Sequence, residues 1–475
     1  MCGIIGIVGD KNASEIIQMG LYALQHRGQE SWGMICRGKR QFYPEFFPHK
    51  VQGLVRKEQH LSPTVSFIGS TGIGHIRYST QGSNLLNNAQ PHFSHATNDP
   101  EGERLYLAAN GDITNLNHLR EILTTNQIEV DTDNDGEVLV KIIGLYYFKH
   151  QFSMVKAIQE AQKIVFGSFA AVLLTPKYFY AFRDLYGFRP LVMGKKSDQA
   201  RLFASETVAL DQCGFSYDRE VKRGEIIEIN LIDSKLISYQ TDSNPRPCSR
   251  CIFELIYFSH PSSKTFGIWI DPFRKQLGKS AAELFLSKHP EISADEKNNW
   301  IVSAVPDSSN AAALALARKL NLDFDFCLVR SHYTGRSFIS PTQENRDFDV
   351  TMKFSVNWQA VKNKHVIIVD DSLVRGTTMK KIVTLIKKAG ALSVHLVIVS
   401  PPIKFSCHMG IDTHRRSELI AARLTEKQIA ELLEVDSLLY NKVTNMAQVI
   451  KECGGDWNDF CLACFTGDYP CPISD

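Results

Sequence analysis

The stretch Val366–Thr378, VIIVDDSLVRGTT, decides the fold of the C-terminal half of this chain. Its first four residues are apolar without a break, the pattern of a parallel strand buried on both faces. The strand runs into an acid pair, Asp370–Asp371, and then into a polar loop, Ser372 to Thr378, that contains Gly376. Beyond it Met379, Ile382, Val383, Ile386 and Ala389 repeat at helical spacing until Gly390. Strand, loop and helix N-terminus in that order predict an anion site, because backbone N–H groups and the helix dipole point into the loop. Two carboxylates at its mouth argue against phosphate alone. They suit ribose hydroxyls, or a magnesium ion carrying pyrophosphate. A P-loop would need Gly-Lys-Ser/Thr, which this loop lacks.

Outward from this segment, Trp300–Val305 and Ser393–Ser400 read as further apolar strands, and Ser309–Leu320 and Thr378–Ala389 as helices. That alternation predicts an α/β domain with a doubly wound parallel sheet. The first half has a different rhythm. Short apolar stretches at Ile4–Val8, Val65–Ile68, Leu105–Ala109, Phe169–Leu174, Leu191–Gly194 and Ile226–Ile229 alternate with turns. Helical spacing shows at Ala13–Gln25 and Gly136–Tyr147, so an α+β sandwich is expected. Asn244-Pro245-Arg246-Pro247 marks a linker. The expected division is 2–235, a linker at 236–250, a second domain at 251–452 and a tail at 453–475.

With 475 residues, 44% of them hydrophobic and 22% charged, the chain can bury two ordinary cores. Fifty-three Lys and Arg against 51 Asp and Glu leave a net charge of +2, so nothing global favours nucleic acid. No apolar run reaches membrane-spanning length, and MCGIIGIVGD lacks the basic lead of a secretory signal; a cytoplasmic location is expected. Eleven cysteines, an odd number, argue against complete disulfide pairing. Cys36, Cys213 and Cys327 lie among apolar residues and read as core, whereas Cys248/Cys251 and Cys461/Cys464 form C-x-x-C pairs with Cys407 between them. Cys453 and Cys471 fit neither group.

Removal of Met1 would make Cys2 a terminal nucleophile, its own α-amino group serving as general base. The surrounding motifs give that reading weight. CGIIGIVG opens the chain, followed by LQHRGQES (Leu24–Ser31), GHIRYSTQG (Gly74–Gly82), AANGDITN (Ala108–Asn115) and NDGEV (Asn134–Val138). In order and spacing they resemble the motifs of the class II glutamine amidotransferases, as do RDLYGFRPLVMG (Arg183–Gly194) and ASETVALD (Ala204–Asp211). The resemblance implies an N-terminal-nucleophile hydrolase sandwich with αββα layers. Arg77 would fork onto the glutamine carboxylate, Asp135 would pair with its ammonium, and Asn110 and Gly111 would form the oxyanion hole. Taken singly, Arg77 would be a surface ion pair and Asp135 a helix N-cap.

VIIVDDSLVRGTT in turn resembles the phosphoribosyl-pyrophosphate loop of the type I phosphoribosyltransferases. With VPDSS (Val305–Ser309), HYTGRSFISPTQENR (His332–Arg346) and SPPIKFSCHMGID (Ser400–Asp412), essentially the whole chain is similar to the amidophosphoribosyltransferase family. That resemblance implies transfer of the glutamine amide nitrogen to C1 of phosphoribosyl pyrophosphate through a shielded path for ammonia. Asp370, Asp371 and Ser308 would face ribose and magnesium. Ser372, Arg375, Gly376, Thr377 and Thr378 would hold the 5′-phosphate, and a lid at Arg330–Lys353 would bring Arg346 and Lys353 to the pyrophosphate. Cys251, Cys407, Cys461 and Cys464 match the ligands of a four-iron four-sulfur cluster present in some members. Four thiolates would also suit zinc, and four free thiols are the third reading. Inhibitory purine nucleotides and a homotetramer are further implications, with neither nucleic acid nor membrane as partner.

The chain departs from the family pattern at several positions. Ser259-His260-Pro261-Ser262-Ser263 stands where Ala-Arg-Pro-Asp-Ser is usual, and Ser309 where Gly is usual. Arg330 and His332 replace Lys and Arg, Thr351 replaces Arg, and Gly267–Phe273 is unlike its counterparts. These changes remove basic charge from the domain-facing and lid regions. They leave open a divergent paralogue, or a non-catalytic regulator that binds phosphoribosyl pyrophosphate. The intact Cys2–Arg77–Asn110–Asp135 set speaks against the regulator, and a glutaminase joined to an isomerase or synthetase lacks the motifs it would need.

Overall fold

Period-two alternation builds the N-terminal half. In Gly3–Val8, Ile4 and Val8 face one core cluster while Ile5 and Ile7 face another, and in the strand Asp99–Ile113 Tyr106 and Ala108 alternate likewise with Leu105 and Leu107. The computed structural model describes residues 2–37, 46–56, 69–78, 86–241, 247–289, 292, 299–331, 354–413 and 415–473. Gly3–Val8 is central in an antiparallel seven-stranded sheet, between Arg201–Ala204 and Thr71–Arg77. Asp99–Ile113 lies in a six-stranded antiparallel sheet, beside Gly167–Leu174. The inner faces share one core that holds Ile4, Ile73, Ala108, Val172 and Phe179. Ala13–Ala23 and Thr207–Gln212 cover the outer face of the first sheet; Leu116–Thr125, Asp135–Gly144 and Met154–Ile164 cover the second. This is the αββα sandwich.

The C-terminal half is built on five parallel strands. They lie in the order Asp323–Phe324, Trp300–Ala304, His365–Asp370, Ser393–Ile398 and Ser437–Tyr440. Within the apolar run, Ile367 and Val369 join the core under the helices Ile270–Lys288, Asn310–Leu320 and Val443–Glu452. Val366 and Ile368 join the core under Thr377–Lys388 and Glu426–Leu433. A strand covered on both faces has no polar side, hence the unbroken run. In chain order the strands read 2-1-3-4-5, so the direction of winding reverses between Trp300–Ala304 and His365–Asp370. In open parallel sheets the crevice at such a reversal, beyond the carboxyl ends of the strands, is where ligands bind.

Several elements differ from the sequence reading. The helix expected at Gly136–Tyr147 is α-helical over Asp135–Gly144 and continues as a wider π-type turn, Leu145–Lys149. The long helix Ile270–Lys288 was not anticipated. It packs so closely on Asn310–Leu320 that a Cβ at Gly278 would lie 2.0 Å from the Ala312 carbonyl oxygen. Leu236–Gln240, within the stretch expected as linker, is the edge strand of the six-stranded sheet, paired with Glu225–Asn230. In the tail, Phe460–Cys461 pairs in parallel with Arg250–Cys251. Val65–Ile68 lies outside the described residues.

Candidate functional site

Cys2 sits at the mouth of the sandwich, half-buried, at the start of the central strand. Its thiol donates to the Tyr78 carbonyl at 3.5 Å, and its backbone N–H donates to Asn110 Oδ1 at 3.1 Å. With that oxygen turned toward Cys2 N, Asn110 Nδ2 is left buried without a hydrogen-bond partner. An orphaned amide donor beside a thiol is the feature an oxyanion hole requires, since a buried donor without a partner costs about 1–3 kcal/mol. Gly111 follows on the same strand. A Cβ there would meet the Ser168 carbonyl oxygen at 1.8 Å, so glycine is demanded by the neighbouring strand.

Arg77 ends the adjacent strand and is buried. Asp135 opens the helix Asp135–Gly144, but the cap is Asn134, whose side chain accepts from Gly136 N. Asp135 is therefore not the N-cap, though its Oδ1 also accepts from the Gly136 N–H, at 2.9 Å. Burial pushes its carboxyl up to about 6, with the Gly136 N–H and Arg77 pulling the other way. Burial likewise raises the Cys2 thiol, while Arg77 lowers it and Asp135 raises it further. The structure thus gathers a thiol, an amide donor, a guanidinium and a carboxyl around one point.

At the reversal in the parallel sheet, Ser308 Oγ donates to Asp371 Oδ2 at 2.5 Å, Ser372 Oγ to Asp371 Oδ1 at 2.8 Å, and Ser309 Oγ to Asp370 Oδ1 at 3.0 Å. Ser309, where the family pattern has Gly, thus brings a hydroxyl to Asp370 and acts on Asp371 as well. Burial raises the Asp371 carboxyl in spite of the serine hydroxyls and Arg274. Gly376 adopts φ +81° ahead of the helix Thr377–Lys388, the left-handed turn that frees the loop N–H groups. Arg375 is held by Glu418, Nε to Oε2 at 2.7 Å. Arg346, Lys353, His332 and Thr351 lie outside the described residues.

A cavity of about 290 Å³ opens beside the phosphate loop. Asp370, Asp371 and the loop to Thr378 line it, together with Tyr257, Phe258 and, from the N-terminal half, Tyr78. Tyr78 is the residue whose carbonyl accepts from the Cys2 thiol. Buried charges knit the domains together. Arg27 Nε donates to the Cys2 carbonyl at 2.9 Å, and its two terminal nitrogens donate to Glu254 at 3.0 and 2.8 Å. Arg189 adds a bond to Glu254 at 3.3 Å and one to the Met409 carbonyl. Glu206 accepts from Arg27 at 2.5 Å, from Ser263 Oγ at 2.8 Å and from the His260 backbone N–H at 2.7 Å. Burial alone would raise the Glu206 carboxyl, but His26 and Arg27 outweigh it and hold it below the usual range. Such buried ions are tolerated because their lone pairs are filled. Arg27, Arg189 and Glu206 lie within LQHRGQES, RDLYGFRPLVMG and ASETVALD, but no sequence pattern showed that they pair. Their partners lie up to 227 positions away.

The four expected cluster cysteines share a neighbourhood. Cys251 pairs in register with Cys461, and Cys464 is acted on electrostatically by Cys461, Cys407 and Cys251. Burial raises all four thiols, Cys407 to about 11. Among the described residues, however, no three His, Cys, Asp or Glu side chains stand as a ready-made site for a metal ion. Cys471 lies beside them, 3.5 Å from Met409 Sδ. Cys36, Cys213 and Cys327 are buried, as their apolar surroundings suggested.

Comparison with known proteins follows the same division. Residues 75–212 match the glutamine amidotransferase domain family and residues 274–402 the phosphoribosyl transferase domain family. Amidophosphoribosyltransferase 1, chloroplastic, of Arabidopsis thaliana is 40% identical over 471 residues, covering 99% of this chain and 78% of the plant protein. The amidophosphoribosyltransferase of Bacillus subtilis is 36% identical over 476 residues, covering 99% and 94%. The solved B. subtilis glutamine phosphoribosylpyrophosphate amidotransferase, complexed with ADP and GMP, superposes with a TM-score of 0.87 at 36% identity, covering 100% of this chain and 98% of that one.

Proposed function

The chain belongs to the amidophosphoribosyltransferases, and from that membership we propose how its residues divide the work. The enzyme moves the amide nitrogen of glutamine to C1 of 5-phosphoribosyl pyrophosphate, giving phosphoribosylamine, glutamate and pyrophosphate, the first step of purine synthesis. The observation that carries the assignment of residues is that Tyr78, whose carbonyl accepts from the Cys2 thiol, also lines the cavity of the loop Asp370–Thr378.

Glutamine is held with its carboxylate on Arg77 and its ammonium on Asp135. Removal of whatever precedes Cys2 frees its amino group, which takes the thiol proton. Cys2 Sγ attacks the amide carbon, and Asn110 Nδ2 and the Gly111 N–H receive the oxyanion. The C–N bond breaks, ammonia leaves with the transferred proton, and water hydrolyses the thioester to glutamate. Ammonia passes by Tyr78 to the phosphate-loop cavity and displaces pyrophosphate from C1.

Ser372, Arg375, Gly376, Thr377 and Thr378 hold the 5′-phosphate, and Arg346 and Lys353 reach the pyrophosphate. Asp370, Asp371 and Ser308 would hold magnesium through oxygen, and the ion would supply charge neutralisation on the leaving group. The raised Asp371 carboxyl fits a group short of a counter-charge. Cys251, Cys407, Cys461 and Cys464 offer the donor set of a four-iron four-sulfur cluster, whose binding would release the protons their burial now retains. Purine nucleotides act as inhibitors, in keeping with the ADP and GMP bound in the B. subtilis structure.

The test is glutamate release from glutamine with and without phosphoribosyl pyrophosphate, with phosphoribosylamine formation followed in parallel. Release that the sugar phosphate stimulates is expected. Absence of release under both conditions would leave only the regulator reading.

A further inference from the structure

Resting on the function just described, we propose that Arg274 is a positioning residue that couples the sugar-phosphate site to the glutaminase nucleophile through the turn Glu254–Ser259. Arg274 lies on the long helix Ile270–Lys288, only 2% exposed. Its Nε donates to the Leu255 carbonyl at 3.1 Å and its Nη2 to the Ser259 carbonyl at 2.8 Å. It therefore grips both ends of the π-type turn Glu254–Phe258. Among surrounding charges Asp371 acts on Arg274 most strongly, followed by Glu206. The guanidinium thus holds the backbone of a turn whose Tyr257 and Phe258 share a cavity with Asp371.

The turn carries the other half of the connection. Tyr257 and Phe258 line the same cavity as Asp370 and Asp371. Glu254, at the start of the turn, takes two bonds from Arg27, which itself donates to the Cys2 carbonyl. Ser259 Oγ donates to Glu254 Oε2 at 3.4 Å and receives a bond from Thr265 Oγ1 at 3.0 Å, which ties the turn's end back to its beginning. The sequence of contacts is Arg274, turn, Glu254, Arg27, Cys2. Substrate that fills the cavity meets Tyr257 and Phe258, and the displacement of the turn passes through its two bonds to Arg274 and through Glu254 to Arg27. Coupling needs a difference in contacts between two states, and the filled cavity supplies one.

The experiment uses the full chain, with magnesium and phosphoribosyl pyrophosphate as the probe, and reads the ratio of glutaminase activity with and without the probe. Couplings of this kind are about 5–150-fold. Arg274→Met should keep its unstimulated glutaminase rate and synthesis from added ammonia, while its stimulation falls to about twofold or less. Arg274→Lys keeps the charge but cannot fork onto both carbonyls, so it should give an intermediate ratio at unchanged probe affinity. A merely structural role would lower the melting temperature and all rates together without moving the ratio. Full stimulation in Arg274→Lys, or in Arg274→Met, overturns the proposal. Unstimulated wild-type enzyme would instead sink the functional assignment itself.

Discussion

The nucleophile pocket and the phosphate loop are built by opposite means. Around Cys2 the groups are buried side chains on antiparallel strands and a helix start, each fixed by its own partner: Asn110 by the Cys2 N–H, Asp135 beside its capped helix. Around Asp371 the site is largely backbone at the end of a parallel strand, with Arg375, Thr377 and Thr378 exposed and Arg375 paired to Glu418. The first is preorganised by packing. The second is preorganised by topology and completes itself by exchanging weak partners for a ligand. A side-chain site should fail abruptly when one atom is removed, and a backbone site should fail by degrees, except at its buried acids.

The largest effect tests whether the two regions are chemically separate. Cys2→Ala should lower glutamine-dependent product formation by at least about three orders of magnitude while synthesis from ammonia survives; loss of both would contradict two independent sites. Asp371→Ala should reduce product formation from either nitrogen source by about 10²–10³-fold with unstimulated glutaminase retained, and equal activity with ammonia would refute its role. Asn110→Ala should cost about 10²–10³-fold in glutaminase kcat through loss of the one orphaned donor, leaving the ammonia reaction intact. A smaller loss would place the oxyanion elsewhere.

The acidity of Asp135 sharpens the contrast further. Its carboxyl is raised to about 6. Below that value it is protonated and cannot pair with the glutamine ammonium. kcat/KM for glutamine should therefore fall as pH drops through about 6, and the ammonia reaction should not follow the same curve. In Asp135→Asn the fall should vanish, at a lower plateau. The smallest effect concerns the exposed pair at the loop: Glu418→Gln frees Arg375 and should lower KM for phosphoribosyl pyrophosphate by about fivefold at most, the value of a surface ion pair. An unchanged KM would remove Arg375 from the phosphate contacts.

The same division explains what could be read from the sequence. The strand, acid pair and loop at Val366–Thr378 are contiguous, so the parallel sheet and its ligand crevice were legible, as was the αββα sandwich from its short strands and motifs. Cys2, Arg77, Asn110 and Asp135 were visible because each sits inside a local motif. The helix Ile270–Lys288 was not, because charged residues interrupt its apolar spacing and its tightest contact is a glycine, Gly278. The pairing of the buried arginines was also hidden. Arg27 and Glu254 meet across 227 positions, and charged residues in a sequence ordinarily read as solvated surface. The edge strand Leu236–Gln240 looked like linker because its side chains are only partly covered.

The short parallel pairing of Phe460–Cys461 with Arg250–Cys251 fastens the end of the chain beside the entry to the second domain, three residues before Glu254. Clipping that fastener would spare every atom that reacts. A protease nick near residue 455 should therefore yield an enzyme that still performs each half-reaction yet wastes glutamine, a defect invisible to an assay supplied with ammonia.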